Sequence, residues 1–222
     1  MGSLDTFMGD NDIYEFNSDG SGGALHLNEP SSDDLSGNTD GFDDTTRNFL
    51  NSNPGYNVVM WSWCWLEKDN TSINQYLTNM DQLEYEYPNV RFVYMTGHLE
   101  DSGEEGDLHY YNEIIRNFCI ENNKTLYDFA DIESYDPDDN YFLDRLALDN
   151  CTYDSNGNDI LEFSDANWAL EWQAGHVGIE TYPNGGEWYS CSAAHSEALN
   201  GNIKAYAAWY IFAVLAGWDG IN

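Results

Sequence analysis

Hydrophobic positions fall into regular periods from Gly41 onward and into none before it. In GFDDTTRNFLNSNP, Phe42, Thr46, Phe49 and Leu50 share one face, with acids in the first turn and Pro54 beyond the end, which predicts a short helix. YNVVMWSWCW is a continuous apolar run and predicts a strand buried on both faces. Ile73, Tyr76, Leu77, Met80, Leu83 and Tyr87 then recur at helical spacing behind Ser72, the expected cap. NVRFVYMTG predicts a second buried strand. Leu108, Tyr111, Ile114, Ile115, Phe118 and Cys119 predict a second long helix, and KTLYDFADI a third strand. An acidic, loop-rich stretch follows at 133–165. DANWALEWQAGH predicts a short helix, GGEWYSCSAAHS a turn or short loop, and 200–216 a final apolar helix.

Strands alternating with helices define an α/β protein: an open three-layer sheet of mainly parallel strands, with right-handed crossovers and helices on both faces. Residues 42–222 are expected to form one domain with an acidic insertion at 133–165. Residues 1–41, rich in Gly, Ser, Asn and Asp, are expected to form an irregular acidic arm, which Phe7, Ile13, Tyr14, Phe16, Leu25 and Leu27 can dock on the core. Function in such sheets sits beyond the carboxyl ends of the strands. Those ends carry Ser62 to Trp65, Thr96-Gly97-His98 and Asp128 to Glu133, and the loop before the last helix carries His195. Trp61, Trp63 and Trp65 alternate, so a strand places all three on one face. They are then core, or, past the strand's end, an aromatic platform for sugars to which Trp168, Trp172 and Trp188 add.

Charge narrows the partners. Seven basic against 40 acidic residues give a net charge of −33, which excludes nucleic acid and anionic membrane surfaces. Three readings of the acidity stay open: a surface adapted to high salt, as in halophilic proteins, oxygen ligands for Ca²⁺, or attraction of a cationic partner. The C-terminal apolar stretch is interrupted by Lys204 and reads as a buried helix, so no membrane span is expected. MGSLDTFMGD has no basic segment followed by an apolar one, so any leader lies outside this sequence. The four cysteines have no CxxC spacing, which argues against zinc and for two disulfides in an oxidising, extracellular or cell-surface setting. Three pairings exist; the expected one is Cys64–Cys119 with Cys151–Cys191.

The order of parts over about residues 55–217 resembles the SGNH (GDSL-type) hydrolase superfamily. The similarity runs through NVVMWSWCW, YLTNMDQLEYEYPNVRFVYMTGH, NEIIRNFCIENNKTLYDFADI and HSEALNGNIKAYAAW. The last block is similar to the family's closing histidine with a helix behind it, which implies that His195 is a general base. The family's Gly-Asp-Ser nucleophile turn has only Gly9-Asp10-Asn11 as a counterpart, and Ser192 stands where its Asp precedes the histidine.

A Ser–His pair needs a hydroxyl within reach of the imidazole and an acceptor for the other ring nitrogen. Ser62, or a hydroxyl from an upstream block, is the candidate nucleophile, with Asp131 as orienting carboxylate and His98 beside them. The structural alternative is that Ser196 or Asn200 caps the last helix and His195 is a packed loop residue. DSNGNDILEFSD has calcium-loop spacing, with Asp154, Asn156, Asn158, Glu162 and Asp165 as side-chain ligands and the Ile160 carbonyl between them. Asp159 replaces the usual glycine, and Asp rather than Glu closes the loop. Structural Ca²⁺ is the expected cofactor. Asp136 to Asn140 is a second, weaker acidic turn. Two functions follow: a secreted SGNH-like esterase acting on acylated carbohydrate, or a non-catalytic, calcium-stabilised surface, adhesion or assembly protein reusing the fold. The expected partners are a carbohydrate or ester substrate and, by self-association, a second copy.

Overall fold

The computed structural model describes residues 15–29, 34–179 and 186–219. Phe7, Ile13, Tyr14 and the Gly9-Asp10-Asn11 turn lie outside the described residues. The protein is mixed α/β and divides into two units, residues 32–131 and residues 1–31 with 132–222.

The 32–131 unit is built on three parallel strands, β1 (Val58–Met60), β2 (Arg91–Met95) and β3 (Thr125–Tyr127), in the order β1-β2-β3. Val59 pairs with Phe92, and Tyr94 with Leu126. The period of two puts Phe92 and Tyr94 on one face of β2. They share a core there with helices α1 (Phe42–Ser52), α2 (Asn70–Glu86) and α3 (Asp107–Glu121), through Phe42, Leu50, Ile73, Tyr76, Met80 and Ile115. Val93 and Met95, on the opposite face, are buried as well. The four-residue α4 (Phe129–Ile132) follows β3.

The first strand is shorter than its apolar run and is not buried on both faces. It lies at the sheet's edge, paired to β2 alone, and the chain leaves the sheet after Met60. The three alternating tryptophans therefore do not share a strand face. Trp61 donates to Thr46 Oγ1 at 2.8 Å, and Trp63 to the Met95 carbonyl at 3.2 Å. Trp65 is 57% exposed. The cap of α2 is Asp69 rather than Ser72: its carboxylate accepts from the Thr71 and Ser72 amides, both at 2.9 Å. A carboxylate three residues upstream outcompetes the serine, whose own amide is one of the groups needing a partner.

The expected disulfides are absent: all four cysteines are free thiols. Cys64 is exposed in the loop after β1, whereas Cys119 is in the core of α3, where burial pushes its thiol up to about 12. Cys151 lies in a left-handed turn (φ 71°) against Ser196 Oγ, with its thiol raised to about 11, mainly by burial. Cys191 is held by the Ala198 carbonyl and the Asn202 amide.

In the second unit, β4 (Thr152–Tyr153) pairs antiparallel with β5 (Ala166–Asn167), and β6 (Gly178–Ile179) parallel with β7 (Trp188–Tyr189). Helices α5 (Trp168–Gly175) and α6 (Ala198–Leu215) complete it. β7 stands where a turn was expected. Its Tyr189 N–H donates to Asn202 Oδ1 at 2.6 Å, and Asn202 Nδ2 donates back to the Tyr189 carbonyl at 3.0 Å, so a side chain of α6 plays the part of a neighbouring strand. The described arm residues form a Phe16–Leu25 bridge that packs on Trp209 of α6. Among the described residues no helix is long and apolar enough to cross a membrane.

Candidate functional site

The second unit contains a cleft of about 500 Å³. One wall is a face of α5. Trp168, Glu171, Trp172, Gly175 and His176 recur at i, i+3, i+4, i+7 and i+8, and all line it. The other wall comes from the acidic insertion: Asp136, Asp138, Asn140, Tyr141, Phe142, Arg145 and Tyr153.

The side chains that line the cleft are held by one another. Trp172 stacks flat on His176, with centroids 3.5 Å apart and planes 4° from parallel. Its Nε1 donates to Asp138 Oδ2 at 3.0 Å. His176 Nδ1 faces the Trp172 carbonyl at 2.6 Å and so carries the proton. Tyr153 donates its hydroxyl to Glu171 Oε2 at 2.9 Å, and the Arg145 guanidinium lies 4.2 Å over the Tyr153 ring. Burial, followed by the Glu171 carboxylate, raises the pKa of the Tyr153 phenol. Asp136, buried, accepts from the Asp138 and Asn140 amides and from Asn140 Nδ2, which fixes the turn carrying Asp138. The result is a cleft with aromatic faces, carboxylate acceptors and one guanidinium donor.

The sequence-predicted catalytic residues are divided between the units. Ser62, His98 and Asp131 belong to the 32–131 unit and His195 to the other. Ser62 is exposed, and its carbonyl accepts from Leu35 N–H. Both ring nitrogens of His98 face carbonyls, Nδ1 that of Leu99 at 2.9 Å and Nε2 that of Cys64. The Asp131 carboxyl is held above the usual aspartate range by partial loss of water and by the neighbouring Asp128 charge. His195 is exposed, in a left-handed turn (φ 57°) two residues before Glu197, the N-cap of α6. Glu197 makes no side-chain capping bond. Ser196 instead donates to the Asp149 carbonyl at 2.7 Å and accepts from Asn200 Nδ2 at 2.7 Å.

The β4–β5 pair pins both ends of the 154–165 loop. Asp154, 3% exposed, accepts from the amides of Gly157, Asn158 and Asp159. Asp165 accepts from Ser155 and from the Glu162 amide, and Glu162 accepts from the Asn156 and Asn158 side chains. Asn158 Oδ1 accepts from the amide of Ile160, whose side chain is exposed. Among the described residues no group of three or more His, Cys, Asp or Glu side chains converges to hold a metal.

Sequence reasoning missed Arg145, Glu171, Tyr141, Tyr153 and His176. The available signal was the α5 face, two tryptophans and a glutamate at helical spacing beside a histidine. No family model, curated protein or solved structure matches the chain.

Proposed function

We propose that this is an extracellular α/β binding protein that holds a carbohydrate chain in the cleft of the 132–222 unit and does not hydrolyse it. One observation carries the reading: aromatic faces and hydrogen-bonding groups line a single cleft and contact one another there. Sugars offer apolar C–H faces to rings and hydroxyls to carboxylates and guanidinium. The non-catalytic alternative is favoured by His98, whose ring nitrogens both face carbonyls. The finer fold belongs to the same proposal. An SGNH- or flavodoxin-like arrangement is supported by consecutive parallel strands joined through α2 and α3, and by a histidine just ahead of the last helix.

The test is a glycan array on the full chain, followed by calorimetry on the best ligand. Trp172→Ala is expected to weaken it roughly 10- to 100-fold, the equivalent of losing about 1.5–3 kcal/mol of aromatic burial. A fluorophosphonate probe is expected to leave the protein unlabelled. A stoichiometric adduct that disappears in His195→Ala would make the chain the esterase instead.

Structural Ca²⁺ at the 154–165 loop is part of the proposal, supported by the ligand spacing and by the lone pair that Asp154 Oδ2 retains beyond its bond from the Asp159 amide. Millimolar Ca²⁺ is expected to raise the melting temperature over EDTA, with about 2.7 kcal/mol gained at a hundredfold excess over Kd. Glu162→Gln, which leaves the amide contacts to Asp154 in place, should abolish the shift. Equal melting temperatures for wild type in Ca²⁺ and EDTA would mean that the loop holds no ion.

A further inference from the structure

The cleft is acidic as well as aromatic. Asp136, Asp138 and Glu171 line it against one guanidinium, that of Arg145, which leaves a formal charge of −2. Arg145 is turned to Tyr153: its guanidinium lies over the ring, bonds the phenol oxygen and reaches the Ser155 carbonyl at 3.4 Å. Asp136 uses both of its oxygens on the turn it fixes. Asp138 and Glu171 differ. Each is exposed and accepts with one oxygen, Asp138 Oδ2 from the Trp172 indole and Glu171 Oε2 from the Tyr153 hydroxyl. Asp138 Oδ1 and Glu171 Oε1 have no donor among the described residues.

We infer that the cleft takes an amino sugar, whose protonated amine donates to Asp138 or Glu171. The inference rests on the carbohydrate reading above and selects among carbohydrates. An ammonium brings three N–H donors and a positive charge to carboxylate oxygens that lack a donor, and such charge-assisted bonds are about twice as strong as neutral ones. The Trp172 indole, whose N–H already goes to Asp138, and the Tyr141 ring line the same cleft. A cation held at Asp138 therefore lies beside an aromatic wall, which favours it further. A neutral hydroxyl can fill the same oxygen but leaves the charge of the cleft uncompensated. A uronic acid sets another carboxylate beside Asp136, Asp138 and Glu171. A bare Ca²⁺ is the poorer match, since it takes about six to eight oxygens, and among the described residues no three such side chains converge. The field of a chain at −33 draws cations in general; the cleft gives one class of them a seat.

The experiment presents the full chain with oligosaccharides on an array, each backbone in neutral, N-acetylated, free-amine and uronate forms. The best free-amine ligand, with a single amine per molecule, is then compared by calorimetry with its N-acetylated counterpart. The buffer keeps the amine protonated and the carboxylates ionised. The amine form is expected to bind at least about tenfold more tightly, the equivalent of one charge-assisted hydrogen bond, and the uronate form most weakly. Asp138→Asn keeps an oxygen for the Trp172 indole, and Glu171→Gln keeps one for the Tyr153 hydroxyl, while each removes a charge. At least one of them is expected to abolish most of the amine preference and to leave the affinity for the N-acetylated form unchanged. Glu121→Gln, which removes the same charge from α3 in the other unit, is expected to change neither. Equal or tighter binding of the neutral, N-acetylated or uronate form overturns the inference and leaves the carbohydrate reading standing. So does an amine preference that both cleft variants retain, or that Glu121→Gln lowers as much as they do, because the attraction then belongs to the whole charged surface. The wild-type ranking decides the class of ligand even if a variant folds poorly. No glycan binding of any class removes the carbohydrate reading and the inference with it.

Discussion

Asp154 and Asp131 carry the same carboxyl group in different surroundings. Asp154 is wrapped by three backbone amides, so its carboxylate belongs to the fold of the loop. Asp154→Ala is expected to cost about 2–3 kcal/mol in denaturant unfolding, the penalty of leaving buried amides with no acceptor, with Asp154→Asn recovering part of it. A loss below a few tenths would mean that water replaces the carboxylate without cost. Asp131 is not wrapped in this way. Partial loss of water and the nearby Asp128 raise its pKa, so the folded state binds its proton more readily than the unfolded chain does. Ionised Asp131 therefore destabilises the fold at neutral pH, and the penalty fades as pH falls through the raised value toward the ordinary aspartate range. Asp131→Asn is expected to be more stable than wild type at neutral pH and indistinguishable from it in acid. A difference that grows on acidification would mean that the fold favours the ionised carboxylate.

At the scale of elements, α2 offers the clearest cap. Asp69 accepts from two first-turn amides, and those bonds hold its carboxyl below the usual range. Asp69→Ala is expected to lower the melting temperature, while Ser72→Ala leaves it almost unchanged. The difference between wild type and Asp69→Ala should shrink as pH falls through the lowered folded value, because protonation removes the charge that the amides stabilise. The same helix shows what sequence makes legible. Ile73, Tyr76, Leu77, Met80 and Leu83 fall at the expected spacing and are all buried, because helical period and core face are one property. The Trp61–Trp65 run was legible only as apolar: period and composition do not reveal that β1 is an edge strand of three residues after which the chain turns away. The cleft was half legible for a related reason. Its α5 wall follows from spacing within one helix, but its other wall comes from residues 136–153, whose irregular backbone has no period to read. Which carboxylate meets which indole is decided there, by the turn that Asp136 fixes.

For the whole molecule, acidic residues far outnumber the cations that could offset them, 40 against 7. Arg47, Lys68, Arg116, Lys124 and Lys204, five of the seven basic residues, are committed to ion pairs that fasten one segment to another or close a helix turn. Arg116 grips both oxygens of Asp128 at 2.7 and 2.8 Å, and Lys204 of α6 meets the fully buried Glu133. These cations are clips between elements, and most of the 40 carboxylates remain uncompensated. Their mutual repulsion is screened over about 10 Å at 0.1 M salt and about 3 Å at 1 M, so added salt relieves the folded state more than the expanded chain, where the charges are farther apart. The melting temperature in NaCl is expected to climb from low salt into the molar range. Near the sequence pI of about 4.1 the climb should shrink, because protonation has already removed much of the charge that salt would screen. This pH dependence separates screening from the general strengthening of apolar burial by salt, which does not need ionised carboxylates. A melting temperature that is flat in salt at neutral pH would mean that repulsion does not limit stability. The acidic surface would then have to be accounted for by what it attracts, and the Ca²⁺ titration becomes the deciding measurement.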